Sequence, residues 1–241
     1  EETADYDVFI QNFNDLSGFF SEEEENREEW LKKIGQKIAF MDGLGIGHPW
    51  YEMEKAKYQL ACGQSGNAER TVRQLWDAGE KDLRMLFNGA EVLTGCGKGE
   101  EAAEIYEELL NREKLSEEDV YRASVELAGI LAGKQQWTEA REHAQRARRN
   151  YNTQKAAELL DQCNAEVIAL YTGEKAEELT AETAVSLAWA YIQNGRAAEG
   201  LEFFREHPLL EEDTVKCHQV RTVLFMSCGL GEETRKEAEL W

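Results

Sequence analysis

The chain has 241 residues, enough for one large domain or two small ones, and contains only two prolines. Its 48 acidic residues outnumber its 27 basic residues, and the resulting net charge of -21 disfavours binding to nucleic acids and anionic membranes. Ala, Glu, Leu, Lys and Arg are abundant, so the composition favours helices and predicts an all-α protein.

The cysteines and the hydropathy of the sequence indicate the cellular compartment in which we expect the protein. The five cysteines form no Cys-x-x-Cys pair, which argues against a zinc ribbon or a disulfide framework and favours a reducing compartment. No apolar stretch approaches the roughly 18 residues that span a membrane. We expect a cytoplasmic protein with no membrane insertion in this segment. Because the first residue is Glu1 rather than Met, the sequence is also compatible with a fragment that has lost a signal, an anchor or a neighbouring domain.

Two helices are predicted near the amino terminus, over residues 6–20 and 22–41. The second carries an apolar stripe of Trp30, Leu31, Ile34, Ile38 and Met41. We expect residues 1–48 to form a helical pair packed on the rest of the chain. The glycine-rich segment 43–49 predicts a loop rather than a phosphate-binding site, because no strand precedes it and no Gly-Lys-Ser/Thr follows it.

Residues 49–241 repeat a pattern of small and apolar residues. One copy contains Leu187, Ala188, Tyr191, Gly195, Gly200, Phe204 and Pro208; a second contains Ala90, Leu93, Gly97, Ala102 and Tyr106; a third contains Ala128, Leu131, Ala140 and Ala144. Facing small residues let two helices approach closely. A glycine between the helices suits the left-handed turn that ends the first one, as at Gly63, Gly97, Gly195 and Gly229.

The copies are regularly spaced. The interval from Ala68 to Ala102 equals the interval from Gly200 to Thr234. Both correspond to a helical repeat with a period of about 34 residues. The interval from Ala102 to Ala140 is slightly longer, and we place the extra residues in a loop before a helix capped by Ser116 and Asp119.

The interval from Ala140 to Gly200 is too long for one repeat and a little short for two. It predicts a long helix over 153–171, ended by Gly173, and a shortened second helix over 174–179. We therefore expect one degenerate repeat near residues 150–180.

With this period, these small residues and these glycine turns, the segment 49–241 resembles the tetratricopeptide repeat (TPR) family. The resemblance implies a right-handed α-α superhelical solenoid of about five antiparallel helix pairs. It also implies that the first helix of each pair lines a concave groove, in which family members mostly bind peptides or protein segments.

Groove-facing positions on the first helices lie opposite the small residues. The candidate peptide-binding residues are Trp50, Met53, Lys57, Arg84, Phe87, Asn88, Glu91, Arg122, Val125, Trp189 and Ile192. The same alignment adds Glu54, Leu60, Glu126, Glu182, Val185, Lys216, Val220, Val223 and Met226. Apolar side chains along such a wall suit amphipathic or extended segments. Phe87, Val125 and Trp189 are equally compatible with packing against a neighbouring repeat.

Chaperone-binding members of the family hold a peptide's terminal carboxylate with Lys, Asn and Arg side chains on successive first helices. Asn88 and Arg122 lie near such positions, but Glu126 and Met53 replace the expected basic residues. The resemblance therefore implies only an incomplete clamp.

The sequence shows no catalytic or metal-binding pattern. His48, His143, His207 and His218 fall in separate predicted elements, and Cys217 beside His218 would point about 100° away from it on a helix. We expect no enzymatic activity, no metal and no cofactor.

The basic run from Arg141 to Arg149 has Ala144 and Ala147 at helical spacing within it. Small residues that pack inward and charges that face water are typical of a solvated helix face. We therefore predict a surface helix there rather than a phosphate site.

The leading functional interpretation is a scaffold that binds a protein or peptide. One alternative is a self-associating assembly module that forms a homo-oligomer through its carboxy-terminal repeat, since Leu240 and Trp241 follow no predicted polar capping helix. Another is an accessory domain of a larger enzyme or cochaperone. In each case the expected partner is a protein, not a nucleic acid.

Overall fold

The computed structural model describes residues 8–9, 12–13, 27–173, 175–208, 210 and 214–240. These residues contain twelve α-helices and one 3-10 turn, and no strand occurs among them. The helices are α1 (Arg27–Gly43), α2 (Pro49–Ala61), α3 (Ser65–Asp77), α4 (Leu83–Gly95), α5 (Gly99–Leu110), α6 (Glu117–Gly133), α7 (Trp137–Asn150), α8 (Gln154–Thr172), α9 (Ala181–Gln193), α10 (Ala197–Glu206), α11 (Val215–Ser227) and α12 (Gly231–Leu240). The chain is therefore all-α, as its composition predicts.

Within these ranges, five helix pairs share one kind of tight turn: α2–α3, α4–α5, α6–α7, α9–α10 and α11–α12. The middle residue of each turn has a left-handed backbone, with φ of 75° at Gly63, 78° at Gly97, 61° at Gln135, 72° at Gly195 and 73° at Gly229. In each turn the next amide donates back to a carbonyl five residues earlier, as from Lys98 to Leu93. The predicted glycine turns are confirmed, and Gln135 marks a fifth that the sequence pattern missed.

The first and second helices of the pairs differ in how their amino termini are capped. Side chains of Asp82, Ser116, Thr153, Thr180 and Thr214 cap the amino termini of α4, α6, α8, α9 and α11. By contrast, α3, α5, α7 and α10 start directly from the tight turns, without a side-chain cap. Each pair is therefore one helix-turn-helix unit with a capped entry.

The spacing of the pairs follows the sequence. The interval between the starts of α3 and α5 equals the interval between the starts of α10 and α12. In the segment expected to hold a degenerate repeat, α8 is a long helix capped by Thr153. A single 3-10 turn, Ala176–Glu178, stands where a second helix would be.

Replacing Gln135 by glycine is expected to stabilise the protein. A left-handed backbone costs a residue with a Cβ about 1–2 kcal/mol, and glycine avoids that cost at the expense of greater freedom in the unfolded chain. We expect a rise in Tm of about 2–4 °C, measured by calorimetry.

The matched substitution is Gly97→Gln, where a Cβ would meet no atom within 4 Å and only the backbone conformation is strained. It should lower Tm by a similar amount. Equal Tm values for all three proteins would show that a side chain at the left-handed position of these turns carries no cost in stability.

The chain separates into two compact units, Glu1–Glu113 and Lys114–Trp241. From the sequence we predicted a domain boundary between residues 48 and 49 instead. The difference arises because α1 and α2 share a core: Ile34, Ile38 and Met41 pack with Tyr51, and with Phe9 and Phe13 from the amino-terminal segment. The remainder of the predicted helices over 6–20 and 22–41, before Arg27, lies outside the described residues.

The rest of the first unit is built on α2, α3, α4 and α5. Met53, Val72, Met85 and Val92 belong to one of its buried clusters. Ala90 and Ala102, predicted to lie at a close helix contact, are both fully buried, and α4 packs against α5.

The second unit has an extensive core among α8, α9, α10 and α11, which includes Leu187, Ala188, Tyr191 and Val220. Gly200 permits a close helix approach there, since a Cβ at this position would lie 2.8 Å from the Cβ of Tyr191. The small residue that the repeat pattern singled out therefore has a packing role.

The last helix, α12, differs from the sequence expectation. Its exposed side is charged, with Glu232, Glu233, Arg235, Lys236 and Glu239 on it. Leu240, near the end of α12, is 68% exposed, so the carboxy-terminal repeat presents both charged and apolar side chains among the described residues.

Candidate functional site

Four of the predicted groove residues are buried in the core. Met53 packs with the α2–α4 cluster, Phe87 contacts the Tyr106 ring, and Val125 packs with Ala147 and Ala156. Asn88 is also buried. Adjacent helices cover these positions, so their side chains do not line a surface, contrary to the groove prediction. The amide of Asn88 is thereby removed from the clamp that the family resemblance implied.

The predicted residues of the first unit that reach the surface form a charged cluster. The Arg84 guanidinium lies 4.8 Å from the centroid of the Trp50 ring, and Trp50 is 39% exposed. Beneath them Glu54 is only 3% exposed, with one carboxylate oxygen 3.4 Å from the Lys57 ammonium. Burial raises the pKa of Glu54, against the opposing effect of Lys57. The exposed Glu91 lies on α4.

In the second unit the predicted residues divide between a cavity and the core. Trp189 lines the cavity, together with Glu182, Val185 and Lys216 from the wider groove prediction. Ile192 is half-buried against the core cluster, and Val220 belongs to it. Arg122 is half-buried on α6, where the neighbouring Glu126 forms an ion pair with Lys155 of α8 at 2.6 Å.

The cavity has a volume of about 820 Å³ and lies between α7, α9 and the start of α11. This volume falls within the range of ligand-binding pockets, roughly 300–1,000 Å³. Val185 and Trp189, one turn apart on α9, supply an apolar wall. We call this space the α7–α9–α11 pocket.

Arg141 forms the polar side of the α7–α9–α11 pocket, yet it is only 4% exposed. Its Nε donates to Asn164 Oδ1 at 2.6 Å, Nη1 to Ser186 Oγ at 3.2 Å and Nη2 to Gln193 Oε1 at 3.1 Å. These acceptors lie on α8 and α9, so one guanidinium joins three helices. All three acceptor side chains are uncharged.

Arg141 has no carboxylate within ion-pair distance among the residues that the structure describes. Burial lowers the pKa of its guanidinium to about 10, although the charge of Glu142 opposes the shift. Buried charges in proteins are normally paired, because desolvation of an isolated charge is costly. The network also leaves Asn164 Nδ2 buried without a hydrogen-bond partner.

Arg141 also corrects the sequence interpretation, which placed the whole basic run in solvent. Arg149 is exposed as predicted, but Arg141 is buried. The sequence does contain an indication that Arg141 is buried. Arg141 follows Ala140 and lies one turn before Ala144, at the edge of the stripe of buried alanines.

Other charges surround the pocket entrance. Arg149 and Lys216 are exposed cations, and Glu142 and Glu182 are exposed carboxylates. With Arg141 the lining therefore carries one more positive than negative charge, in a chain whose net charge is -21. The amino termini of α9 and α11 also border the space, at Ala181 and Thr214.

No cluster of three or more His, Cys, Asp or Glu side chains suited to a metal ion occurs among the described residues. Over the same part of the chain, each helix is too short or too polar to traverse a bilayer.

No family model matches this sequence, and no curated protein matches it. Among solved structures, a tetratricopeptide repeat protein from Parabacteroides merdae is similar over 98% of this chain and 93% of that chain, with 13% identity and a TM-score of 0.47. Two structures of the nearly identical TPR-like repeats of a Podosopora anserina protein described as a kinesin light chain also match. Each match covers 81% of this chain and 93% of that chain, at 18% and 16% identity and with TM-scores of 0.38 and 0.31.

The TM-scores of these three matches are all below 0.5. The architecture is therefore defined from the helix pairs of this chain. The left-handed turns, the capped first helices and the two equal intervals between second helices make this chain a TPR-like array of helix pairs.

Proposed function

We propose that this TPR-like chain is a non-catalytic scaffold, and that it binds a segment of another protein in the α7–α9–α11 pocket. The observation that carries the proposal is the combination of an apolar wall, Val185 and Trp189, with a buried guanidinium on the opposite helix. Pockets that bind ligands typically combine apolar surface with a few fixed polar groups.

Rigid helices hold both halves of the pocket. Val185 and Trp189 lie on α9, whose entry is fixed by a capping box between Thr180 and Thr183. Arg141 is held by hydrogen bonds to α8 and α9. A site in which the side chains are already positioned loses less conformational entropy when a ligand binds.

A selection of random peptides displayed on phage against the full chain tests this proposal. We expect enriched peptides whose affinity for the Trp189→Ala variant is at least about tenfold lower, since aromatic side chains dominate such contacts. Trp189 also packs against the core, so binding is compared where far-UV circular dichroism shows both proteins folded.

The matched control is Trp50→Ala, which removes an exposed tryptophan from the first unit. It should leave the affinity of the selected peptides unchanged. Loss of binding with Trp50→Ala alone would place the site in the Trp50–Arg84 cluster and reject the pocket.

A further inference from the structure

We infer that the segment bound in the α7–α9–α11 pocket carries an acidic side chain, and that its carboxylate forms an ion pair with Arg141. The inference rests on the proposed function and adds the chemistry of the partner: a peptide with Asp or Glu beside an apolar residue. The carboxylate would contact Arg141 while the apolar residue packs on Val185 and Trp189.

Arg141 has no counter-ion among the residues that the structure describes. Arg141 is 4% exposed, and its hydrogen bonds go to the neutral side chains of Asn164, Ser186 and Gln193. Each terminal nitrogen of a guanidinium carries two N–H groups. The described residues accept from only one on each, so Nη1 and Nη2 both retain a donor for a ligand.

The charge of the pocket lining is complementary to that of a carboxylate. The five charged residues that line the pocket leave one positive charge in excess, which a single carboxylate would neutralise. Desolvation already lowers the pKa of Arg141, and a bound carboxylate would offset that cost. The amino termini of α9 and α11, which border the pocket, add a favourable dipole for negative charge.

The hydrogen bonds around Arg141 leave one buried donor without a partner. A cation whose role is only structural is expected to be fully satisfied by its own chain, whereas this network leaves Asn164 Nδ2 unpaired inside the fold. Arg141 keeps the Asn164 oxygen directed toward itself, so the amide cannot rotate to relieve this. A buried polar atom without a partner calls for an explanation, and a ligand bound at this site would be one.

The test uses the full chain and a Trp189-dependent peptide from the selection, with blocked ends so that its only acids are side chains. We expect the selected peptides to be enriched in Asp and Glu. Changing the acidic residue of one peptide to its amide should weaken binding to the wild-type protein at least about tenfold, as for close ion pairs at interfaces.

A double-mutant cycle assigns that loss to Arg141. Against Arg141→Gln, the acid and amide peptides should bind within about twofold of each other, because no charge remains to distinguish them. Arg149→Gln, which removes an exposed cation from the same pocket, should preserve most of the tenfold difference. If Arg141→Gln does not fold, Arg149→Gln and Lys216→Gln, which remove the other two cations of the pocket, decide the inference: the acid–amide difference should persist in both, and its loss in either would overturn the role of Arg141.

The outcomes separate the two proposals. Trp189-dependent peptides that bind equally as acid and amide would overturn the role of Arg141 and leave the binding pocket standing. A phosphoserine peptide that binds more tightly than the acid would assign the site to a phosphate and overturn the carboxylate. A selection that yields no Trp189-dependent peptide overturns both.

Discussion

Replacing Phe87 by alanine is expected to lower the free energy of unfolding of the first unit by about 3–5 kcal/mol. The side chain is 1% exposed and its ring centroid lies 6.3 Å from that of Tyr106, between α4 and α5. Alanine would remove the buried ring and leave a cavity that the surrounding helices fill only partly. Urea denaturation followed by circular dichroism measures the change.

Phe40 on α1 provides the matched control, since its side chain is 51% exposed. Phe40→Ala should change the stability by less than about 0.5 kcal/mol. If Phe87→Ala were as mild as Phe40→Ala, Phe87 would belong to an open groove, as the sequence pattern first suggested, and the packing described for α4 would be wrong.

Replacing Glu237 by alanine is expected to release α12 from the second unit, with a loss of about 3–5 kcal/mol. One oxygen of this buried carboxylate accepts from His218 Nδ1 at 2.5 Å, and from Arg221 Nε at 2.8 Å and Nη2 at 2.5 Å. Arg221 also donates to the Leu210 carbonyl at 2.6 Å. Removing the acid would leave the Arg221 guanidinium partly buried without its counter-charge.

Hydrogen exchange of the α12 amides measures this effect directly, because local release raises their exchange before the rest of the unit unfolds. Glu239→Ala on the same helix is the control, since Glu239 is exposed, and it should leave both the exchange and Tm unchanged. Slow exchange of α12 in Glu237→Ala would mean that apolar packing alone holds the helix.

The repeat was predictable because it depends on local backbone chemistry. Glycine at the left-handed turn position is visible in the sequence at Gly63, Gly97, Gly195 and Gly229, and the structure places each there. The turn at Gln135 was not predicted, because there a non-glycine residue adopts the same left-handed conformation. The long α8 was predictable from the unusual interval and the glycine that follows, whereas the segment after it was predicted as a shortened helix over 174–179 and forms only a 3-10 turn, Ala176–Glu178.

The site was only partly predictable, because burial depends on which helix packs over a given face. Met53, Phe87 and Val185 occupy the same position relative to the turn glycine of their pairs, yet the first two are buried and only Val185 lines a cavity. Periodicity identifies a face but does not show whether a neighbouring helix covers it.

Arg141 was missed for a different reason. Its sequence neighbourhood is that of a solvated basic helix, and only its place at the edge of an alanine stripe distinguishes it from Arg149. The acceptors that hold it, Asn164, Ser186 and Gln193, are 23 to 52 residues away in the chain. No local pattern predicts such a cluster.

Photocrosslinking tests most directly whether the α7–α9–α11 pocket is where a partner binds. A selected peptide carrying a photoreactive group next to its acidic residue is bound to the full chain, crosslinked and located by mass spectrometry. If the peptide binds in this pocket, we expect crosslinks within residues 141–149 of α7 and 182–193 of α9. Crosslinks confined to the neighbourhood of Trp50 and Arg84, or scattered over exposed surfaces, would contradict it.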